Sequence, residues 1–142
     1  MSKRKIYVAS SWRNARQPEV VAFLKSEGHL VYDFRNPTDD DNGFHWSDID
    51  GDWDQWGMEE YRKCLSHEIA EHGYQRDYDA MVWADTFVGV MPFGRSASME
   101  MGWAAGKDKR TILLLSDGEP ELMVKMFDHI VIDFTELAEV LK

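Results

Sequence analysis

Short apolar runs alternate with amphipathic segments along the whole chain. Residues 5–10 (KIYVAS) and 29–34 (HLVYDF) are rich in aromatic and β-branched residues and lead into polar stretches, which predicts two strands. The segment between them, QPEVVAFLKSEGH, has Pro18 near its start and Gly28 just past its end. This asymmetry is typical of a helix, so the first third of the chain predicts strand, helix, strand.

The rest of the chain continues this alternation. Three further strands are predicted at TFVGVMP, RTILLLS and DHIVIDF. Helices are predicted at SASMEMGWAAGK and TELAEVLK, with a short helix or turn at GEPELMVKMF. Before the third strand, MEEYRKCLSHEIAEHG and YQRDYDAMVWAD predict two helices separated near Gly73. TFVGV and RTILLL are continuous apolar runs, as expected for strands buried on both faces.

This order of elements predicts an α/β fold. We expect a three-layer sandwich of the flavodoxin-like or Rossmann-like type, with a five-stranded parallel sheet in the order 2-1-3-4-5. With 142 residues, a single domain over 1–142 is expected. In such a sheet the ligand lies beyond the carboxyl ends of the first and third strands. SSWRN and PFGRSASME are expected to meet there.

Residues 35–57 form a long acidic and aromatic segment with neither a helical nor a strand period. At this length a purely connecting role is disfavoured, so we expect a functional loop. Asp48, Asp50, Asp52 and Glu59 match four positions of a calcium-binding loop, but Trp53 stands where that loop requires glycine. No metal site is predicted.

Charge and cysteine content narrow the classes of function. The net charge of -10 disfavours a nucleic acid polymer as partner, although a local pocket can still bind a small anion. The single cysteine, Cys64, excludes an intrachain disulfide framework and suits a reducing compartment. No signal-like or membrane-spanning apolar run is seen. We therefore expect a soluble cytoplasmic protein without membrane contacts.

Glu100 is a lone carboxylate in the segment MPFGRSASMEMGWAAGK. If Ser96 is the N-cap, the acid of a capping box would stand at position 99, so capping does not account for Glu100. One alternative is an exposed first-turn acid favoured by the helix dipole. The other is a site residue, because the predicted topology puts this helix start at the ligand crevice.

Asp77 is the second candidate carboxylate. It leads an apolar stripe made by Ala80, Met81 and Ala84, whereas Asp79 points roughly the opposite way. Asp77 is therefore either an N-terminal capping acid or a site residue that reaches into a cleft. Two carboxylates converging on one crevice would suit cleavage of a glycosidic bond.

Three segments together carry a resemblance to a known family: KIYVASSWRN, YQRDYDAMVWADTFVGVMP and GRSASMEMGWAAGKDKRTILLL. They resemble the nucleoside 2-deoxyribosyltransferase family, which includes the 2'-deoxynucleoside 5'-monophosphate N-hydrolases, over most of the chain except 36–70. The resemblance implies the fold given above. It also implies that Glu100 is the nucleophile on the sugar C1', that Asp77 helps the base leave, and that Tyr7 orients Glu100. No metal or organic cofactor is implied.

The resemblance also suggests a place for a 5'-phosphate. In the monophosphate hydrolases a Ser-x-Arg stretch after the first strand holds this group, and Ser11 and Arg13 match it. Gly94, Arg95 and Ser96 face them at a helix start, a favourable place for an anion. Ser98 stands where the family usually has glycine, which changes the shape of the pocket. The alternative is that both arginines are solvated loop charges.

Two further residues have more than one interpretation. The transferases take an Asp or Asn from a neighbouring subunit for the sugar 5' end, and Asp128 is the nearest match, which implies a homodimer or higher homo-oligomer. Asp128 could instead simply begin the fifth strand. Trp46, with the other loop aromatics, could stack on the base or pack into a small core within the loop.

The sequence thus favours an enzyme that cleaves the N-glycosidic bond of a nucleoside or nucleoside 5'-monophosphate. One alternative is a non-catalytic nucleotide-sensing module, which would gain nothing from a carboxylate directed at the sugar. Another is an NAD-cleaving glycohydrolase, although the chain lacks the Gly-x-Gly-x-x-Gly pattern of dinucleotide sites.

Overall fold

The computed structural model describes residues 3–142. Within this range it has the strands β1 (Lys5–Ala9), β2 (Leu30–Tyr32), β3 (Thr86–Val90), β4 (Arg110–Leu114) and β5 (His129–Val131). The α-helices are α1 (Gln17–Ser26), α2 (Met58–Cys64), α3 (Glu68–Trp83), α4 (Arg95–Gly106) and α5 (Phe134–Val140). All strand pairs are parallel and the order is β2-β1-β3-β4-β5, which confirms the predicted fold class and topology.

The chain divides into two compact units. The first contains residues up to Asp33 together with Met81–Lys142, and it holds the entire sheet. The second is Phe34–Ala80, which contains α2 and most of α3. Among the helices of residues 3–142, none has the length and apolar character needed to cross a bilayer.

Successive side chains along the strands of the first unit lie on opposite faces of the sheet, so the core has two parts. Ile6 and Val8 of β1 belong to a buried cluster with side chains of α1 and α5, including Leu24 and Leu137. Tyr7 points to the opposite face of the sheet, where its ring stacks on neighbouring aromatics. The sheet is therefore covered on the face of α1 and α5 by aliphatic packing.

On the other face α4 lies close to β3, and Gly89 is the reason it can. A Cβ atom at Gly89 would lie 3.1 Å from Met101 Cε and 3.1 Å from Phe93 Cε1. The missing side chain thus leaves room for the helix that carries Glu100 to pack directly on the central strand.

The predicted helix break near Gly73 is wrong. α3 runs through this residue without interruption, and the break falls between Cys64 and Glu68. Gly73 serves packing instead, since a Cβ there would lie 2.9 Å from Cδ1 of Phe44. The helix start is capped by His67, whose Nδ1 accepts a hydrogen bond from the Ile69 N–H at 3.0 Å.

The segment 35–57 is more ordered than its lack of period indicated. In the second unit it forms short 3-10 turns at Trp46–Asp48 and Trp53–Gln55. Trp46 makes edge-on contacts with three rings, those of Phe44, Trp56 and Tyr61, at centroid distances of 4.7, 5.6 and 5.9 Å. These contacts favour the interpretation of a small aromatic core within the loop.

A pH dependence of stability is expected from His29, which is buried at the start of β2. Its Nδ1 accepts a hydrogen bond from the Arg4 N–H at 3.1 Å, and burial, followed by the charge of Arg4, lowers the pKa of His29 below 6.5. The unfolded chain therefore binds the proton more readily. We expect the free energy of unfolding to fall as pH drops below about 6.5, until the folded-state pKa is passed.

Urea unfolding of wild type and His29→Gln between pH 7.5 and 5 measures this contribution. The variant is expected to lose less stability on acidification than wild type. His72→Gln, at an exposed position of the second unit, is the matched control and keeps the wild-type slope. Equal slopes for wild type and His29→Gln would refute the assignment.

Candidate active site

A hydrogen bond between Tyr7 and Glu100 forms the centre of the candidate site. The Tyr7 hydroxyl donates to Glu100 Oε2 at 2.5 Å. Tyr7 is buried on β1, and Glu100 is half-buried on α4. One carboxylate oxygen is thus held by a donor whose own position is set by β1.

The Tyr7 ring is itself held between two other rings. Tyr32 of β2 and Phe87 of β3 stack on it at centroid distances of 5.4 and 5.0 Å. Both are the register partners of Tyr7 in the sheet, so strand pairing creates the stack. This arrangement restricts the direction in which the hydroxyl can point, and it orients the carboxylate of Glu100.

The start of α4 differs from the expected one. Gly94 is the N-cap and Arg95 the first helical residue, so the helix begins earlier than a Ser96 cap would allow. The first turn contains no acidic residue, and Glu100 lies beyond it. The first-turn dipole interpretation of Glu100 is therefore wrong, because the dipole effect is confined to the end of a helix.

Ser98 is exposed near the start of the same helix. Its hydroxyl donates to the Gly94 carbonyl oxygen at 3.0 Å, next to the helical hydrogen bond from its own N–H to the same oxygen at 3.2 Å. Where the family pattern has glycine, this chain therefore has a hydroxyl that is engaged with its own helix.

The candidate anion contacts lie at the carboxyl edge of the sheet. Ser11 and Arg13 follow β1, while Arg95 and Ser96 begin α4 after β3. Arg13, Arg95 and Ser96 are exposed, and Ser11 is half-buried. Within residues 3–142 neither arginine forms an ion pair, so both positive charges are available to an anionic ligand.

Two polar residues that the sequence analysis missed, the buried Asn14 and the half-buried Arg16, join these two segments. They lie in the loop after β1 and donate to backbone carbonyls at the end of β3 and just beyond β3 and β4. The sequence could have pointed to both residues, because they lie in the polar segment after the first strand, at the predicted switch point of the sheet. What the sequence did not reveal is that their partners are backbone oxygens far along the chain.

Asp128 lies elsewhere in the first unit. Its Oδ2 accepts from the Thr111 N–H at 2.8 Å and from the Thr111 hydroxyl at 3.2 Å, and its own N–H donates to that hydroxyl at 2.9 Å. Thr111 is near the amino end of β4, at the edge opposite to Ser11 and Arg13. Within one chain Asp128 is thus not brought together with Glu100, and these bonds tie the start of β5 to β4.

Asp77 belongs to the second unit and lies well inside α3. The predicted apolar stripe is confirmed, since Ala80, Met81 and Ala84 are buried. Asp79 is exposed and accepts a hydrogen bond from Gln75 Nε2 at 2.7 Å. Because Asp77 is half-buried in mid-helix, the interpretation of an N-terminal capping acid is wrong.

The acidic pattern of the long loop is used for local hydrogen bonds. Asp50 accepts from the Trp56 indole N–H at 2.8 Å and from the Asp52 N–H at 2.9 Å. The bond from Trp56, followed by that from Asp52, lowers the pKa of Asp50. No group of three or more potential metal ligands occurs in the described range 3–142.

Comparison with known proteins supports the fold. No protein-family model matches the sequence, and no curated protein does. The structure is similar to that of a 2-deoxyribosyltransferase from Bacillus psychrosaccharolyticus, with a TM-score of 0.66 and 19% identity over 94% of this chain and 89% of that one. It is also similar to the CMP N-glycosidase BcmB of Clostridium botulinum, with a TM-score of 0.51 and 18% identity over 96% of each chain. The shared feature is the fold.

Proposed function

We propose that this protein cleaves the N-glycosidic bond of a nucleoside or nucleoside 5'-monophosphate and passes the sugar to water or to another base. The observation that carries the proposal is the hydrogen bond from the Tyr7 hydroxyl to Glu100. A half-buried carboxylate oriented in this way is suited to attack an electron-poor sugar carbon. Two proteins of the same fold are named for reactions at this type of bond.

Glu100 acts as the nucleophile in this mechanism. One carboxylate oxygen attacks C1' while the bond from C1' to the base nitrogen breaks, and the bond electrons leave with the base. Asp77 donates a proton to the departing base and is left as a carboxylate. Water, or the N–H nitrogen of a second base, then attacks C1' and gives a proton back to Asp77. The bond from C1' to Glu100 breaks, and Glu100 is released as a carboxylate.

Tyr7 serves this mechanism by orienting the nucleophile. Its hydroxyl holds Oε2 of Glu100, and the rings of Tyr32 and Phe87 hold the hydroxyl in place. A carboxylate that is oriented before the substrate binds loses less freedom in the transition state.

The charges at the carboxyl edge favour a nucleotide over a free nucleoside. Arg13 lies on the loop after β1 and Arg95 at the first position of α4, and neither forms an ion pair within residues 3–142. We propose that they bind the 5'-phosphate together with Ser11 and the α4 N-terminus at Gly94 and Ser96. Ser98 shapes this end of the pocket.

The proposed reaction class is tested with a panel of substrates. Cytidine, deoxycytidine, their 5'-monophosphates and the corresponding compounds of the other bases are incubated with the protein, and the products are separated by chromatography. Free base is expected from at least one monophosphate. A second base added to the mixture shows transfer if an exchanged product forms. Tight binding of one compound without turnover of any would support the sensing module instead.

Substitutions at the central hydrogen bond test the residue roles. Glu100→Ala is expected to lower kcat by at least about 10³-fold, because the nucleophile is removed. Tyr7→Phe keeps the stacked ring but removes the donor, and should lower kcat by about 10²-fold. Tyr74→Phe, at an exposed tyrosine of the second unit, is the matched control and keeps the wild-type rate. A Glu100→Ala variant with the wild-type rate would eliminate this mechanism.

We also propose that the protein forms a homodimer or higher homo-oligomer. Five apolar side chains of the first unit are 41–75% exposed within one short stretch of chain: Leu122, Met123, Met126, Ile130 and Ile132. Exposed apolar surface of this kind commonly marks an interface. The same stretch contains Asp128, for which the family resemblance implies a role across a subunit boundary.

Sedimentation equilibrium measures this assembly. The wild-type protein is expected to have a mass of at least twice the 16.5 kDa of one chain at micromolar concentration. Met123→Lys should shift the distribution towards the monomer, because a charge would have to be buried in the interface. Met58→Lys, at an exposed methionine of α2, is the control. A monomer at all concentrations would refute the proposal.

A further inference from the structure

A buried asparagine holds the loop after β1 in place. Asn14 is 4% exposed, although its neighbours Arg13 and Ala15 are both exposed. Its Nδ2 group donates to the carbonyl oxygens of Val90 at 2.9 Å and Pro92 at 2.8 Å. Its Oδ1 accepts from the Arg16 N–H at 2.8 Å. The side chain thus uses both donor hydrogens and its acceptor in one loop-to-loop junction.

Arg16 extends the junction to a third segment. Its Nη1 donates to the carbonyl oxygens of Met91 at 3.2 Å and Leu115 at 3.0 Å. Ser10 adds a hydrogen bond from its hydroxyl to the Val90 carbonyl oxygen at 2.9 Å. Three successive carbonyls, of Val90 at the end of β3 and of Met91 and Pro92 after it, therefore accept hydrogen bonds from side chains of the loop after β1. We call this set of bonds the loop latch.

The loop latch joins the two segments that carry the proposed phosphate contacts. Ser11 and Arg13 lie between its residues on the first loop, and Arg95 and Ser96 follow its carbonyls on the second. In charge-assisted hydrogen bonds to a phosphate, each donor nitrogen lies about 2.7–2.9 Å from a phosphate oxygen. The spacing of the two segments therefore decides whether one phosphate can contact both at once.

We propose that Asn14 and Arg16 are positioning residues that set this spacing and thereby make the protein selective for a 5'-monophosphate over the free nucleoside. The inference rests on the proposed function for the identity of the substrate. We assign both residues a positioning role because both Nδ2 hydrogens of Asn14 and the Nη1 group of Arg16 are engaged with backbone oxygens. Arg13 and Arg95 make the contacts, and the loop latch holds their backbones.

Steady-state kinetics with deoxycytidine 5'-monophosphate and deoxycytidine test the selectivity. Asn14→Ala should raise KM for the monophosphate roughly tenfold, change kcat by less than about threefold, and leave KM for the nucleoside unchanged. Arg16→Lys keeps the charge, but its shorter side chain ends before the position of the Nη1 atom that contacts both carbonyls, so it should raise the same KM. Ala15→Ser, at the exposed position between the two, is the matched control. If Arg16→Lys keeps the wild-type KM, charge alone suffices and the positioning role is overturned.

Amide hydrogen exchange tests the loop latch without any turnover. Asn14→Ala is expected to speed exchange in residues 10–16 and in residues 91–96 together, with no change in Ala15→Ser. Faster exchange in residues 10–16 alone would overturn the loop latch. A urea unfolding curve confirms that the variant is folded at the conditions used.

In the kinetic experiment, an equal rise in KM for the monophosphate and the nucleoside would overturn the selectivity role.

The two proposals can fail separately. If the wild-type protein turns over neither compound, the catalytic function fails, and calorimetric titration then decides the positioning role. A roughly tenfold weaker binding of deoxycytidine 5'-monophosphate by Asn14→Ala, with binding of deoxycytidine unchanged, supports the role. Equal affinity of wild type and Asn14→Ala for the monophosphate overturns it.

Discussion

Parallel pairing of β1 with β3 is the constraint on which the candidate site depends. Its register sets Tyr7 beside Phe87 and brings the carboxyl ends of both strands to one edge. The first consequence is the aromatic stack that directs the Tyr7 hydroxyl to Glu100. The second is that the loops following both strands begin side by side. A one-residue shift of this register would turn Tyr7 to the aliphatic face of the sheet and separate it from α4.

Close approach of α4 to the sheet is the second requirement, and small residues allow it. Gly89 leaves the space into which Met101 and Phe93 fit, and Ala97 and Ala104 of the helix are buried. The helix start at Gly94 then follows β3 after only a few residues. The lone carboxylate thus reaches the hydroxyl of a residue on the neighbouring strand.

Polar side chains at the two edges of the sheet have different tasks. At the amino edge, Asp128 and Thr111 bond to each other and to backbone groups, which secures β5 against β4. At the carboxyl edge, Asn14 and Arg16 bind backbone oxygens and leave Arg13 and Arg95 exposed. Buried polar groups need partners, and here those partners fix loop positions where regular structure has ended. The backbone that carries the exposed arginines is thereby held in place by these hydrogen bonds.

The sequence by itself determined the order of the strands and most helices, the parallel sheet and its topology, because apolar periodicity and the alternation of strands with helices can be read from short stretches of chain. It also singled out Glu100 and Asp77 as unusual carboxylates. Only the tertiary structure decided that α3 runs through Gly73, that Asp77 is no capping residue, and that Asn14 and Arg16 join two loops. Each of these depends on partners distant along the chain, and local patterns carry no information about such partners.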